Sequence, residues 1–181
     1  MKSTSKHYGS VAVTIHWLSA ILILAMLGSG FVATSQTESA AKLTILAFHV
    51  PAGVLVLLLT LLRIVWWWRV DQKPEPVGDD PKWQTLSAKA IHVLFYVVIL
   101  GMVASGIGMV VGAGAAPILR GVSDAPLPDF TQVLPRGPHG LGARLMLALF
   151  AMHAGAALYH QFIKKDGLIW RMWFASRRQG D

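Results

Sequence analysis

Three histidines share one apolar run, HGLGARLMLALFAMHAGAALYH, in which His153 follows His139 by fourteen residues and His160 follows His153 by seven. In a helix, fourteen steps of 100° return to within about 40° of the starting direction, and seven steps to within about 20°. All three imidazoles therefore lie on one stripe. The rise of about 1.5 Å per residue sets His139 and His153 roughly 21 Å apart, so they belong to two separate sites. An ionisable side chain inside an apolar segment is costly and marks a functional position, and neutral imidazole is a common ligand for iron. For a single histidine, an interior ring hydrogen-bonded to neighbouring helices is an equal reading. Three on one stripe favour ligation.

Hydrophobic residues make up 54% of the 181 and charged residues only 14%, a balance too apolar for a water-soluble domain. The expectation is an all-α integral membrane protein. The sequence contains no cysteine, which excludes Cys-ligated iron–sulfur clusters, disulfides and covalently attached c-type haem. A haem here must be held non-covalently by His or Met. The net charge of +7 comes from basic residues at the ends of apolar runs, a pattern of membrane topology. No aromatic-interleaved basic face and no phosphate-binding glycine loop accompanies it, so nucleic acid is set aside as a partner.

Four apolar runs are long enough to span, at about 11–33, 43–68, 87–113 and 139–163. Residues 1–10 form a polar arm, with His7 expected in solvent. The first run is longer than the apolar part of a signal peptide and carries His16 near its start, so it is expected to remain as a helix. The second holds His49 and, fourteen residues on, Arg63. Arg63 is either a snorkelling arginine near the helix end or a partner for a haem propionate. Trp66, Trp67 and Trp68 then form an aromatic belt. The third run carries His92 near its start and brings Gly101, Ser105, Gly106 and Gly108 to a helix contact. Residues 112–138 form a Gly/Pro-rich loop with no evident helix. Twelve of the sixteen Lys and Arg residues fall on the side of the termini, among them Arg177 and Arg178, against Lys42, Arg120, Arg136 and Arg144 on the other. Positive-inside places both termini in the cytoplasm.

In four antiparallel helices, His49 and His139 lie toward the outer side, and His16, His92, His153 and His160 toward the cytoplasm. This predicts a four-helix bundle with two bis-histidine haems, His49 with His139 outside and His16 with His153 inside. As a propionate partner Arg63 would serve the inner haem, with snorkelling as its other reading, and Arg144 would serve the outer. His92 and His160 are plain interfacial histidines, a hydrogen-bonding and proton-donating site for a quinone head group, or substitutes for a ligand of the inner haem.

The order and spacing of I-H-W at residues 15–17, H-V-x-x-G from His49 to Gly53 with Arg63 beyond it, H-x-L-x-Y from His92 to Tyr96, and His139, His153 and His160 followed by Lys165-Asp166 resemble the bacterial cytochrome b561 family. The resemblance covers nearly the whole chain and treats residues 1–181 as one membrane domain. It implies two non-covalent b haems in the bacterial inner membrane, passing electrons between a periplasmic donor and the quinone pool. The best-matching members are similar to superoxide:ubiquinone oxidoreductases, whereas other relatives serve as cytochrome b subunits that relay electrons from a docked redox protein. Residues 112–138 match the pattern least.

Overall fold

The computed structural model describes residues 2–76 and 81–174, and among these the regular structure is entirely helical. Arg177 and Arg178 lie outside the described residues. Helix α1 spans Ser10–Ser35, α2 Ser39–Val65, α3 Lys82–Gly112, α4 Ala116–Leu119, α5 Arg136–Tyr159 and α6 Leu168–Arg171. Two of the long helices end in a π-helical turn, α2 through Trp66–Val70 and α5 through His160–Lys164. The four spans are thus 26 to 32 residues long, about 39 to 48 Å at 1.5 Å per residue and more than a ~30 Å hydrocarbon layer needs.

Each long helix extends beyond its apolar run at the amino end. α3 begins at Lys82 and α5 at Arg136, because a helix continues into the headgroup region for as long as its backbone groups bond within it. Outward-facing Ile21, Leu58 and Val97 are more than half exposed, as side chains against lipid must be. Inside, Leu27 of α1, Val56 of α2, Ile99 of α3 and Met146 of α5 form one buried layer, flanked by Leu22, Ile23, Met26, Phe95, Val98 and Ala143. Val56 lies midway between His49 and Arg63, and Met146 midway between His139 and His153. The layer is an apolar plug separating two ends of the bundle. The helices pack chiefly as two hairpins, α1 with α2 and α3 with α5. Pro51 sits inside α2, where it removes one backbone donor just after His49.

The stretch from 112 to 138 is not the irregular loop expected from its Gly and Pro content. It contains α4 and a 3₁₀ turn at Phe130–Gln132, whose start is capped by the Asp129 carboxylate accepting from the Thr131 N–H at 2.9 Å. Ala115 and Phe130 are buried, and Val133 and Pro135 lie against Gly112 and Gly108 of α3. Two buried anchors hold the segment down, a signal that loop composition does not carry. The Thr131 hydrogen bonds hold the Asp129 carboxyl below its ordinary range.

The polar amino-terminal arm is likewise ordered. Asp71 accepts the Ser3 N–H at 3.0 Å, the Ser3 hydroxyl at 2.8 Å, the Trp66 indole at 3.2 Å and the Gln72 N–H at 2.9 Å. The Arg171 guanidinium donates to the carbonyls of Lys6 at 2.6 Å and Glu75 at 2.7 Å. The Trp17 indole donates to the Met172 carbonyl at 2.7 Å. Arm, α2–α3 connection and carboxyl-terminal segment are thereby laced together over one end of the bundle. Burial alone would raise the Asp71 carboxyl, but the hydrogen bonds from Ser3, Gln72 and Trp66 outweigh it and hold Asp71 below the ordinary range. Burial raises the Tyr8 hydroxyl against the opposing charges of Arg171 and Arg63. His7 is exposed.

Candidate functional site: two histidine pairs

The bundle brings the histidines together at both ends. His49 of α2 and His139 of α5 face each other with ring centres 6.3 Å apart and planes at 65°. His16 of α1 and His153 of α5 do so at 6.2 Å and 61°. A metal held between two imidazole nitrogens by bonds of about 2.0 Å separates the ring centres by roughly 6 Å, and both pairs meet that spacing. His92 of α3 is closer to His153, 5.5 Å between ring centres. That is tighter than a bridged pair, and it makes His92 a neighbour of the inner pair.

The surroundings of the two pairs differ. At the His49–His139 pair, the one expected on the outer side, the Ser29 hydroxyl lies 2.9 Å from His49 Nδ1. His139 Nδ1 lies 3.1 Å from the Ser105 hydroxyl and 3.1 Å from the Met102 carbonyl. A carbonyl only accepts, so Nδ1 of His139 carries the proton and Nε2 keeps its lone pair. Gly30 and Gly106 pass against the rings, and a Cβ on either would come within 3.2 and 3.3 Å of an imidazole Cε1. At the inner pair, Phe95 meets the His153 ring edge-on at 5.5 Å, and Trp17 meets His16 at 5.4 Å. His16 Nδ1 is buried with no hydrogen-bond partner among the described residues. Such an orphan costs about 1–3 kcal/mol.

Each pair offers two donors. Among the described residues no group of three or more His, Asp or Glu is placed to hold a bare metal ion. Two facing imidazoles suit an iron whose other four ligands come from a porphyrin, the bis-imidazole arrangement of a b-type haem. His49, His139, His16 and His153 are the residues that would hold it, and the fit rests on their spacing, on the Nδ1 partners outside and on the orphaned nitrogen inside.

Arg63 is half-buried, and its charge bears on His16, His92 and His153. It is therefore the cation nearest in effect to the inner cluster. Arg144 is exposed, and its guanidinium donates to the Gly140 carbonyl of its own helix at 3.4 Å. The cation whose charge bears on His139 is Arg136, expected from sequence among the outer-side cations that draw an anion but not as a propionate partner. His160 is buried between two partners: its Nε2 lies 2.8 Å from the Gln84 amide, and its Nδ1 pairs with the Asp166 carboxylate. The chain turns back to place Asp166 there through Lys165 and Gly167, both in the left-handed region at φ 54° and 73°. Burial opposes the Asp166 charge, but the His160 hydrogen bond and the Leu168 N–H hold its carboxyl below the ordinary range. His92 stands eight residues beyond Gln84, roughly 12 Å along α3, so it belongs with His153 and apart from His160. Ser29, Ser105, Gln84 and Asp166 were not singled out from sequence as site residues. A hydroxyl or amide in an apolar helix carries no signal until its partner helix is known.

Four membrane-length helices with facing histidines at both ends define the class of b-type membrane cytochromes. Residues 7–175 match the family described as Prokaryotic cytochrome b561, and the chain belongs to that family. It is 29% identical over 173 residues to cytochrome b561 homolog 1 of Escherichia coli, covering 91% of this chain and 96% of that protein. It is 27% identical over 180 residues to cytochrome b561 homolog 2 of the same organism, covering 94% and 93%. It is 28% identical over 173 residues to cytochrome b562 of Cereibacter sphaeroides, covering 91% and 94%. The protein is a bacterial membrane cytochrome, with haem b and electron transfer as its chemistry.

Proposed function

We propose that the protein carries two b haems, one between His49 and His139 and one between His16 and His153, and moves electrons across the inner membrane to ubiquinone, with superoxide as the donor. The two facing imidazole pairs at opposite ends of one bundle are the observation that carries this reading. Bound haem b supplies one-electron chemistry that no side chain here provides. With both termini cytoplasmic, the outer pair faces the periplasm and the strapped end faces the cytoplasm. Two superoxide anions would give up two electrons as dioxygen, and one ubiquinone would take those electrons with two protons.

The chain's own residues have separate tasks in this scheme. Lys42, Arg120, Arg136 and Arg144 draw an anion toward the outer end by their field, moderated by Glu38, Asp124 and Asp129. Arg136 and Arg144 are the cations available to an outer propionate, and Arg63 serves the inner one. Near the cytoplasmic end, His160 is held on one side by Asp166 and on the other by Gln84. A quinone oxygen that displaced the Gln84 amide would meet an imidazole able to exchange protons.

Steady-state superoxide consumption with and without added quinone tests the reading. Quinone-dependent consumption supports it. If electrons reach quinone only from an added redox protein, the chain is instead a relay subunit. His160→Ala should keep both haems reducible from outside and slow their reoxidation by quinone. Loss of the inner haem in that variant would make His160 a ligand.

A further inference from the structure

The two serines that touch the outer imidazoles occupy equivalent places in a repeated hairpin. α1 reads His16, then Met26-Leu27-Gly28-Ser29-Gly30, and α3 reads His92, then Met102-Val103-Ala104-Ser105-Gly106, at a constant offset of 76 residues. Their partner helices repeat as well. His49, Val56, Leu59 and Arg63 of α2 match His139, Met146, Leu149 and His153 of α5 at a constant offset of 90. In both hairpins the serine of the first helix meets the histidine of the second, and the glycine after it lets the ring approach.

The hydroxyl protons are committed in the same manner. Ser29 Oγ donates to the Met26 carbonyl at 3.2 Å, and Ser105 Oγ donates to the carbonyls of Gly101 at 2.7 Å and Met102 at 3.0 Å. With its hydrogen directed back along its own helix, each oxygen offers the imidazole a lone pair. A haem iron on Nε2 would leave Nδ1 as the protonated nitrogen that meets this lone pair, and for His139 the Met102 carbonyl requires that tautomer independently. An acceptor at Nδ1–H also makes the ring a more basic ligand.

We infer that Ser29 and Ser105 are paired positioning residues for the outer haem, fixing the tautomer of His49 and His139 and strengthening both rings as donors to iron. The inference rests on the reading that a haem lies between those two histidines. It also ranks the serines. His139 keeps the Met102 carbonyl when Ser105 is removed, whereas Ser29 is the one Nδ1 partner found for His49 among the described residues. The inner pair lacks the arrangement, since His16 Nδ1 has no partner among the described residues.

The test is a redox titration of the purified, haem-loaded protein in wild type, Ser29→Ala, Ser105→Ala and Ser29→Thr, with His139→Ala marking which absorbance belongs to the outer haem. Ser29→Ala should favour the ferrous outer haem about tenfold, raising its midpoint potential by about 59 mV for one electron, and should leave the inner haem unmoved. Ser105→Ala should shift it less, and Ser29→Thr should restore the wild-type value. If Ser29→Ala sheds its outer haem, recovery of that haem in Ser29→Thr carries the same conclusion, and failure to recover overturns it. An unchanged outer potential in Ser29→Ala with the haem in place, or an equal shift of both haems, overturns the proposal alone. A wild type with no haem between His49 and His139 overturns the reading beneath it.

Discussion

The two ends of the bundle hold their histidines by different means. At the outer end each imidazole is gripped by hydrogen bonds, His49 with Ser29 and His139 with Ser105 and the Met102 carbonyl, and a glycine gives it room. At the inner end the rings are held by packing, His153 against Phe95 and a third imidazole, His92, and His16 against Trp17, and His16 Nδ1 has no hydrogen-bond partner among the described residues. Hydrogen bonds fix a tautomer and an orientation; ring contacts fix a position only. The outer pair is thus preorganised by hydrogen bonds, whereas the inner pair is positioned by ring packing. A nearby cation, Arg63, adds an electrostatic bias at the inner end.

Several substitutions would break or sharpen that contrast. The largest effect is expected from His16→Ala, which should remove the inner haem, while His92→Ala at the same depth should retain both; pyridine haemochrome analysis of the purified variants distinguishes them. Loss of a haem in His92→Ala would make His92 the ligand and would undo the distinction drawn from the 5.5 Å and 6.2 Å spacings.

Gly30→Leu should be nearly as severe, but at the other end. A Cβ at Gly30 would already lie 3.2 Å from His49 Cε1, so a branched side chain must push the ring away from His139. The expected result is an outer haem largely lost and an inner haem with an unchanged spectrum. Gly28→Leu, where nothing lies within 4 Å of an added Cβ, is the matched control and should bind both.

Arg63→Gln should act on the inner haem alone. Removing a cation that bears on three imidazoles disfavours added negative charge, so the inner potential should fall by about 59 mV, a tenfold change for one electron. Equal movement of both potentials would show that Arg63 acts on the bundle as a whole.

The smallest effect concerns the strap over the inner end. The folded-state carboxyl of Asp71 is held below its unfolded value, so its contribution is present above the ordinary carboxylate range and is lost as pH falls through the lowered value. Proteolysis within the first ten residues should therefore be slow at neutral pH and quicken only in acid. Asp71→Asn should cleave faster at neutral pH, with both haems kept. Equal cleavage rates in the variant and the wild type at neutral pH would show that Asp71 does not hold the arm.

Much of this was legible in the sequence because the relevant signals are long or periodic. Four apolar runs give four helices, and a fourteen-residue spacing puts His139 and His153 on one face whatever the remainder does. Depth counting from helix ends set His49 against His139 and His16 against His153, and the fold brings each of these pairs of rings within 6.3 Å, with His92 closer still to His153. Side-chain direction near helix ends was less legible. Arg144 and Arg136 both bring a guanidinium beside Gly140, and Arg144 donates to that backbone carbonyl, a placement that spacing alone does not reveal. The order in residues 112–138 rests on two buried side chains, Ala115 and Phe130, which composition cannot separate from loop residues. The repeat linking Ser29 with Ser105 was present in the letters, yet it gains meaning only when each serine is seen against a histidine on another helix.

The most direct test of two separate histidine sites is the haem-to-protein ratio of wild type, His139→Ala, His153→Ala and the double variant, each purified from the membrane. Two haems per chain in wild type, one in each single variant with different absorbance maxima, and none in the double variant are predicted. Two haems retained in His139→Ala, or both lost in either single variant, would contradict the account.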